Sequence, residues 1–205
     1  MKIKAGIVGA AGFAGAELTR LLLGHPSFEL CAITSDALAG RALAEVYPAF
    51  AGASDLVFSK HDKNALADLD VAFLAVPHTA SLAMTPELIA AGTTVIDLSA
   101  DYRLKDPAIY EKWYKVAHTS TDLLAKAAFG LPELTGDELA SAAARRAAGE
   151  AVLVACAGCY PTATSLAAAP FLRAGLVEEG ATVIVDALSG ITGAGKKATE
   201  RTHFC

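Results

Sequence analysis

The stretch GIVGAAGFAGAE sets Gly9, Gly12 and Gly15 directly behind an apolar, β-branched run and directly ahead of a helical pattern. No other feature constrains the fold as tightly. Glycine at such a junction lets the backbone turn sharply and approach a pyrophosphate, whose charge then sits at a helix N-terminus. The spacing is G-x-x-G-x-x-G rather than the commoner G-x-G-x-x-G, so its meaning comes from the strand before it and the helix after it. Gly9, Ala11, Gly12, Phe13, Ala14 and Gly15 are the candidate dinucleotide contacts of this turn. The plainer alternative is a glycine turn that only lets a helix pack on a strand.

The chain continues the same alternation. KIKAGIVGA reads as a strand and GAELTRLLLGH as a helix stopped by Pro26. Then come strand FELCAITS, loop DALAGR, a short helix around NALADL, strand DVAFLAVP, helix ASLAMTPELIAAG and strand TTVIDLSA. Nearly continuous apolar strands separated by helices predict an α/β fold: a Rossmann-type, doubly wound parallel sheet covered on both faces. DYRLKDPAIYEKWYK reads as a polar loop with a short helix. AAFGLPELTGDELASAAARRAAGEAVLVAC reads as a turn, an alanine-rich helix and a buried strand. After GCYPT a helix, SLAAAPFLRAGLV, leads to a strand, TVIVDALSG, and the glycine-rich GITGAGKK.

These patterns predict a Rossmann NADP-binding domain over 1–158 and the first part of a second domain over 159–205. The second part is thin for an independent core. The chain closes on ERTHFC without a helix, cap or strand pattern, and therefore reads as a truncated chain or fragment.

The end of the second strand bears on cofactor choice. An acidic residue there would hold the ribose of NAD. Here Thr34 and Ser35 precede Asp36, with Arg41 close behind. Small hydroxyls and an arginine suit a 2′-phosphate, which favours NADP; Asp36 keeps NAD open.

Composition excludes several classes. With 54% hydrophobic and 19% charged residues the chain can build a core. A net charge of −5 argues against nucleic acid or an anionic membrane as partner, and leaves room for a small anionic ligand in a local basic pocket. No apolar run approaches the roughly 20 residues that span a bilayer. Cys31, Cys156, Cys159 and Cys205 do not form a disulfide framework, so a cytoplasmic location is expected.

Cys156 and Cys159 form a C-x-x-C with three possible meanings. Zinc needs four ligands; there is no second pair, and His25, His61, His78, His118 and His203 show no paired spacing, so no metal is expected. A redox dithiol would sit early in a βαβ unit, not behind a complete dinucleotide-binding pattern. The third meaning is a single nucleophile. Cys159 precedes Tyr160, Pro161 and a helix, and a thiol at a helix N-terminus feels the positive end of the dipole, which favours thiolate. Cys156 ends the strand AVLVAC and reads as packing. A nucleophilic thiol beside a nicotinamide implies acyl chemistry: a thioester forms and hydride reduces it to an aldehyde.

Four motifs then occur in one order: DLSADYRL (97–104), GLPEL (130–134), GCYPTAT (158–164) and SGITGAGKK (189–197). In them the chain resembles the N-acetyl-gamma-glutamyl-phosphate reductases and, more distantly, the aspartate-semialdehyde dehydrogenases. The resemblance implies reduction of N-acetyl-L-glutamyl 5-phosphate with NADPH in arginine biosynthesis, with aminoadipyl or aspartyl phosphate as rival substrates and an inactive dinucleotide-binding module as the rival outside the enzymes. It implies a second domain of the α+β, glyceraldehyde-3-phosphate-dehydrogenase-like type that makes a homo-oligomer when full-length. Cys159 is implied as nucleophile and Arg103 as the residue that binds substrate or phosphate. Ser189, Gly190, Gly193, Ala194 and Gly195 are implied on the nicotinamide side, and Pro77 and His78 flank the cofactor by fold analogy. Two departures stand out. The resembled reductases carry Asn-Pro where Cys156 and Ala157 stand here, so an asparagine that could help place the thioester oxygen is absent. Their acid–base histidine also follows SGITGAGKK by some distance, and His203 stands too early to match it.

Overall fold

The computed structural model describes residues 2–62, 65–197 and 199. Six strands form one parallel sheet: β1 (Ile3–Val8), β2 (Phe28–Thr34), β3 (Val71–Leu74), β4 (Thr94–Asp97), β5 (Ala128–Gly130) and β6 (Leu153–Cys156). The order across the sheet is β2-β1-β3-β4-β6-β5, with every neighbouring pair parallel. The helices are α1 (Phe13–Leu23), α2 (Leu43–Val46), α3 (Ala80–Ala90), α4 (Pro107–Tyr114), α5 (Thr121–Lys126), α6 (Pro132–Ala147) and α7 (Cys159–Arg173).

β1 is central because both of its faces are apolar. Ala5, Ile7 and Val8 are wholly buried, and the last two lie in different cores. On one face Ile7, Leu22, Ile33, Leu43, Phe50 and Phe58 pack together; on the other Val8, Leu74, Leu82, Val95, Tyr110, Leu124 and Leu153 do. Burial on both faces is what the unbroken apolar strands required. The chain leaves β1 toward β2 on one side and returns to β3 on the other. The strand order therefore reverses between β1 and β3, and the crevice beyond their carboxyl ends is where such sheets bind ligands.

Three expectations need correction. NALADL is a turn over residues 65–68, not a helix, with 63–64 outside the described residues. Asp68 takes a positive φ of 58° there, and Asp62 Oδ1 accepts from Ala65 N–H, local bonding that competes with a helix. AAFGLPEL is more than a turn: α5 ends at Lys126 and β5 follows, pairing Ala128 with Val154 and Gly130 with Cys156. A three-residue edge strand is too short to show a period. TVIVDALSG forms no strand; Val183, Ile184, Val185 and Leu188 are exposed. A strand needs a hydrogen-bonding neighbour, and among the described residues none lies beside this segment.

Candidate active site

The three glycines of the first turn do three different jobs. Gly9 has φ +82°, and a Cβ there would stand 2.4 Å from the Ala75 carbonyl oxygen, so the turn is pressed against the chain leaving β3. Gly15 is packed as closely: a Cβ would meet Ala10 Cα at 2.5 Å, which brings α1 onto the turn. Gly12 caps α1, and a Cβ on it would meet nothing nearer than Gly9 O at 3.7 Å. The open side of the turn is therefore at Gly12, where Ala11, Phe13 and Ala14 flank the first helical N–H groups. Those groups have no intrahelical acceptor, and no acidic residue stands in the first turn. This cradle fits a pyrophosphate. It is braced from outside: Thr34 O accepts from Gly9 N–H and Ala10 N–H, and Tyr47 O–H donates to Ala11 O at 2.7 Å.

Cys159 lies on the same edge of the sheet. It is the first residue of α7, directly after the extended N-cap Gly158, and its side chain is exposed. Three strand spacings separate the ends of β1 and β6, roughly 14 Å. Cys156 ends β6 and is half-buried; burial pushes its thiol up to about 11, with Arg103 opposing the effect. At neutral pH it is therefore a thiol, the inert form. The two cysteines of the C-x-x-C sit in different environments.

Arg103 connects the motif DLSADYRL to this edge. Its Nε donates to Cys156 O and its Nη2 to Leu98 O, both at 2.7 Å. Its Nη1 lies 2.9 Å from where a Cβ on Gly158 would be, so glycine beside the thiol makes room for the guanidinium. Two of the five N–H groups of an arginine are spent on these carbonyls, and three remain for an anion.

Under Arg103 is a buried polar cluster. Ser81 Oγ stands 3.0 Å from Asp97 Oδ2, 2.9 Å from Ser99 Oγ and 2.7 Å from Asp101 Oδ2. Asp101 Oδ1 accepts from Thr79 N–H at 2.9 Å and from Tyr110 O–H at 2.8 Å. Asp97 is wholly buried, and burial raises its carboxyl above the ordinary range. His118 Nδ1 accepts from Ser120 N–H, so its Nε2–H is the donor to Asp101 O; burial lowers its pKa and keeps the ring neutral.

The remaining candidates are spread along the same edge. Thr34 is wholly buried with its hydroxyl 2.5 Å from His61 Nδ1, whereas Ser35 follows it at the strand end and Arg41 is exposed beside Glu45 at 3.6 Å. Asp36 Oδ1 accepts from His61 N–H. Pro77 and His78 follow β3 and are exposed; His78 Nδ1 accepts from Ala100 N–H. Ser189 and Gly190 share a groove of about 700 Å³ with Cys159 and Tyr160. Gly193 and Ala194 lie in a short 3-10 turn followed by Gly195 at φ +89°. From the next residue, Lys196 Nζ reaches over the Tyr47 ring, 4.6 Å from its centroid, so the second glycine segment runs from the thiol groove to the brace of the first. His203 and Cys205 lie outside the described residues. Among the described residues no three His, Cys, Asp or Glu side chains group as a metal site, and no helix is long and apolar enough to cross a membrane.

The sequence reading overlooked Tyr47, Ser81, Asp97, Ser99, Asp101 and Lys196. The Asp-x-Ser-x-Asp alternation at the end of an apolar strand was a usable signal for the cluster, since buried polar groups must find partners. Tyr47 and Lys196 carried none, because their contacts join residues 36 and 149 positions apart.

The chain is similar to known proteins over nearly its whole length. Residues 4–142 match the family model for the semialdehyde dehydrogenase NAD binding domain, and residues 159–205 match that for the semialdehyde dehydrogenase dimerisation domain. The chain is 46% identical over 202 residues to the N-acetyl-gamma-glutamyl-phosphate reductase of Janthinobacterium sp. (strain Marseille), covering 98% of this chain and 56% of that protein. It thus spans about half the length of the curated relatives it matches. Among solved structures, aspartate semialdehyde dehydrogenase II of Vibrio cholerae, complexed with ASA, superimposes with a TM-score of 0.62 at 15% identity, over 85% of this chain and 47% of that one. Aspartate semialdehyde dehydrogenase of Candida albicans with NADP gives 0.59 at 18% identity, over 83% and 48%. At these identities the likeness is one of fold.

Proposed function

The chain belongs to the semialdehyde dehydrogenase family, and from that premise we propose that it reduces N-acetyl-L-glutamyl 5-phosphate to N-acetyl-L-glutamate 5-semialdehyde, a step of arginine biosynthesis. One observation carries the reading: Cys159 opens α7 beside the Arg103 guanidinium, on the sheet edge that also bears the glycine turn.

The chemistry follows from those residues. Arg103 offers positive charge and three N–H groups to the anionic acyl phosphate. Cys159 Sγ attacks the acyl carbon; the S–C bond forms, the C–O bond to phosphorus breaks, and inorganic phosphate leaves. NADPH, when bound, supplies the hydride that converts the thioester to the aldehyde. The S–C electron pair returns to sulfur, and Cys159 is regenerated as thiolate. The first-turn N–H groups of α1 hold the pyrophosphate, and Gly12 lets it approach.

NADP is preferred over NAD in this reading because Ser35 and Arg41 stand at the end of β2 with polar groups to offer a 2′-phosphate, while the Thr34 hydroxyl is engaged by His61 and Asp36 by the His61 amide. The dinucleotide-binding part extends over 1–158 and the second domain starts at Cys159. The dimerisation-domain match supports a homo-oligomer, and unpaired Cys31, Cys156 and Cys159 fit a reducing cytoplasm.

The test is NADPH formation from N-acetylglutamate semialdehyde and phosphate in the full-length polypeptide. Cys159→Ser lowers kcat by about 10³-fold or more, whereas Cys156→Ser stays within a few fold. Faster turnover of aspartate or aminoadipate semialdehyde would reassign the substrate. Activity indifferent to Cys159 would remove the thioester mechanism.

A further inference from the structure

The loop that carries Arg103 closes on a cluster with two buried carboxyl groups and, among the described residues, no cation paired to either. We propose that Ser81, Asp97 and Asp101 are positioning residues for Arg103, and that the cluster works with Asp97 as a neutral acid and Asp101 as a carboxylate; this rests on reading Arg103 as the group that holds the anionic substrate.

The protonation pattern comes from counting hydrogens. Four oxygen–oxygen contacts of 2.7–3.0 Å join Ser81 Oγ, Ser99 Oγ, Asp97 Oδ2 and Asp101 Oδ2. The two serine hydroxyls own two protons, one for each of two contacts. With both acids ionised, the other contacts would press lone pairs together in a site that water does not reach, which is costly. A proton on one carboxyl group reduces the contacts without a hydrogen from two to one. Asp101 Oδ1 accepts from Thr79 N–H and Tyr110 O–H, and its Oδ2 meets one hydroxyl, that of Ser81. Asp97 accepts from Ser99 N–H on Oδ1, and its Oδ2 meets two hydroxyls, Ser81 and Ser99, either of which can turn its lone pair to a proton held there. Burial disfavours its charge in the same direction. The other titratable groups around the cluster, Tyr102, Tyr110, His118 and Cys156, are each shifted toward the neutral form.

The cluster reaches Arg103 through the backbone. Leu98, between Asp97 and Ser99, turns its carbonyl to Nη2, and the Ala100 carbonyl accepts from the Arg103 N–H. Ser81 on α3, Tyr110 on α4 and the N-cap residue Thr79 thus fix residues 97–103 from two helices. A guanidinium held on two carbonyls needs those carbonyls aimed, and side-chain order beneath the loop supplies the aim.

The experiment is carried out on the full-length polypeptide. Asp97→Ala raises KM for the acyl phosphate about tenfold or more, and Asp97→Asn, whose amide donates where the acid did, recovers most of that loss. Asp101→Asn and Ser81→Ala each raise that KM about tenfold or more, and Ser81→Ala adds less than about twofold in an Arg103→Ala background, because its effect passes through Arg103. An infrared carbonyl band of a protonated carboxylic acid, present at neutral pH and lost in Asp97→Asn, reads the proton without any need for activity. Asp97→Asn as damaging as Asp101→Asn, absence of that band, or an undiminished Ser81→Ala effect without Arg103 would each overturn the proposal. A full-length polypeptide without acyl-phosphate activity overturns the functional reading and the positioning role with it, while the band still decides where the proton sits.

Discussion

Cys156 and Cys159 are three residues apart and chemically unlike. The first ends a buried strand and is pushed up to about 11; the second starts a helix in the open. Iodoacetamide at neutral pH therefore labels Cys159 well ahead of Cys156, and peptide mapping that finds the reverse order contradicts the assignment. The glycines separate in the same way. Gly9→Ala forces a positive φ and a contact of 2.4 Å with backbone, so it costs at least about 2 kcal/mol, read as a lower denaturation midpoint. Gly12→Ala meets open space, so it leaves the midpoint nearly unchanged and weakens NADPH binding, measured by fluorescence titration. Equal destabilisation by the two would mean that the turn is only a packing device.

At the scale of elements, α3, α4 and the loop after β4 are joined through Asp101, and His118 is the titrating member of that joint. Its folded pKa lies below the ordinary 6.5 because burial disfavours the imidazolium. The unfolded chain then binds more protons in the window from about 6.5 down to the lowered folded value, so stability is full above it and falls as pH falls through it. His118→Gln flattens the denaturation midpoint against pH across that window; an unchanged slope would assign the acid sensitivity elsewhere. The elements that could be read from sequence were those whose periodicity is local. β1 and β4 are apolar runs, α1 is an amphipathic stretch that Pro26 follows, and α3 is an apolar stretch that Gly92 follows. β5 escaped notice because three residues become a strand only by pairing with β6. TVIVDALSG carries the composition of a strand but has no pairing partner among the described residues. The thiol and Arg103 were legible as motifs. The cluster beneath Arg103 was not, since it needs Ser81 of α3 and Tyr110 of α4 brought to one loop.

In the whole molecule, the parallel sheet gathers the parts of the site at one edge. The glycine turn follows β1, His78 follows β3, the motif bearing Arg103 follows β4, and Cys159 follows β6. Helix α7 and the exposed apolar segment around Ile184 extend from this edge, in the part that matches the dimerisation domain. The proposed reaction depends on Cys159 carrying the acyl group. It is tested most directly by mixing the full-length polypeptide with N-acetyl-L-glutamyl 5-phosphate in the absence of NADPH, quenching in acid, and measuring peptide masses and released phosphate. The expected result is one phosphate released per site and the N-acetylglutamyl mass on the peptide position of Cys159, discharged by NADPH. Acyl mass on Cys156, or turnover with no acyl-enzyme and no phosphate burst, would contradict it.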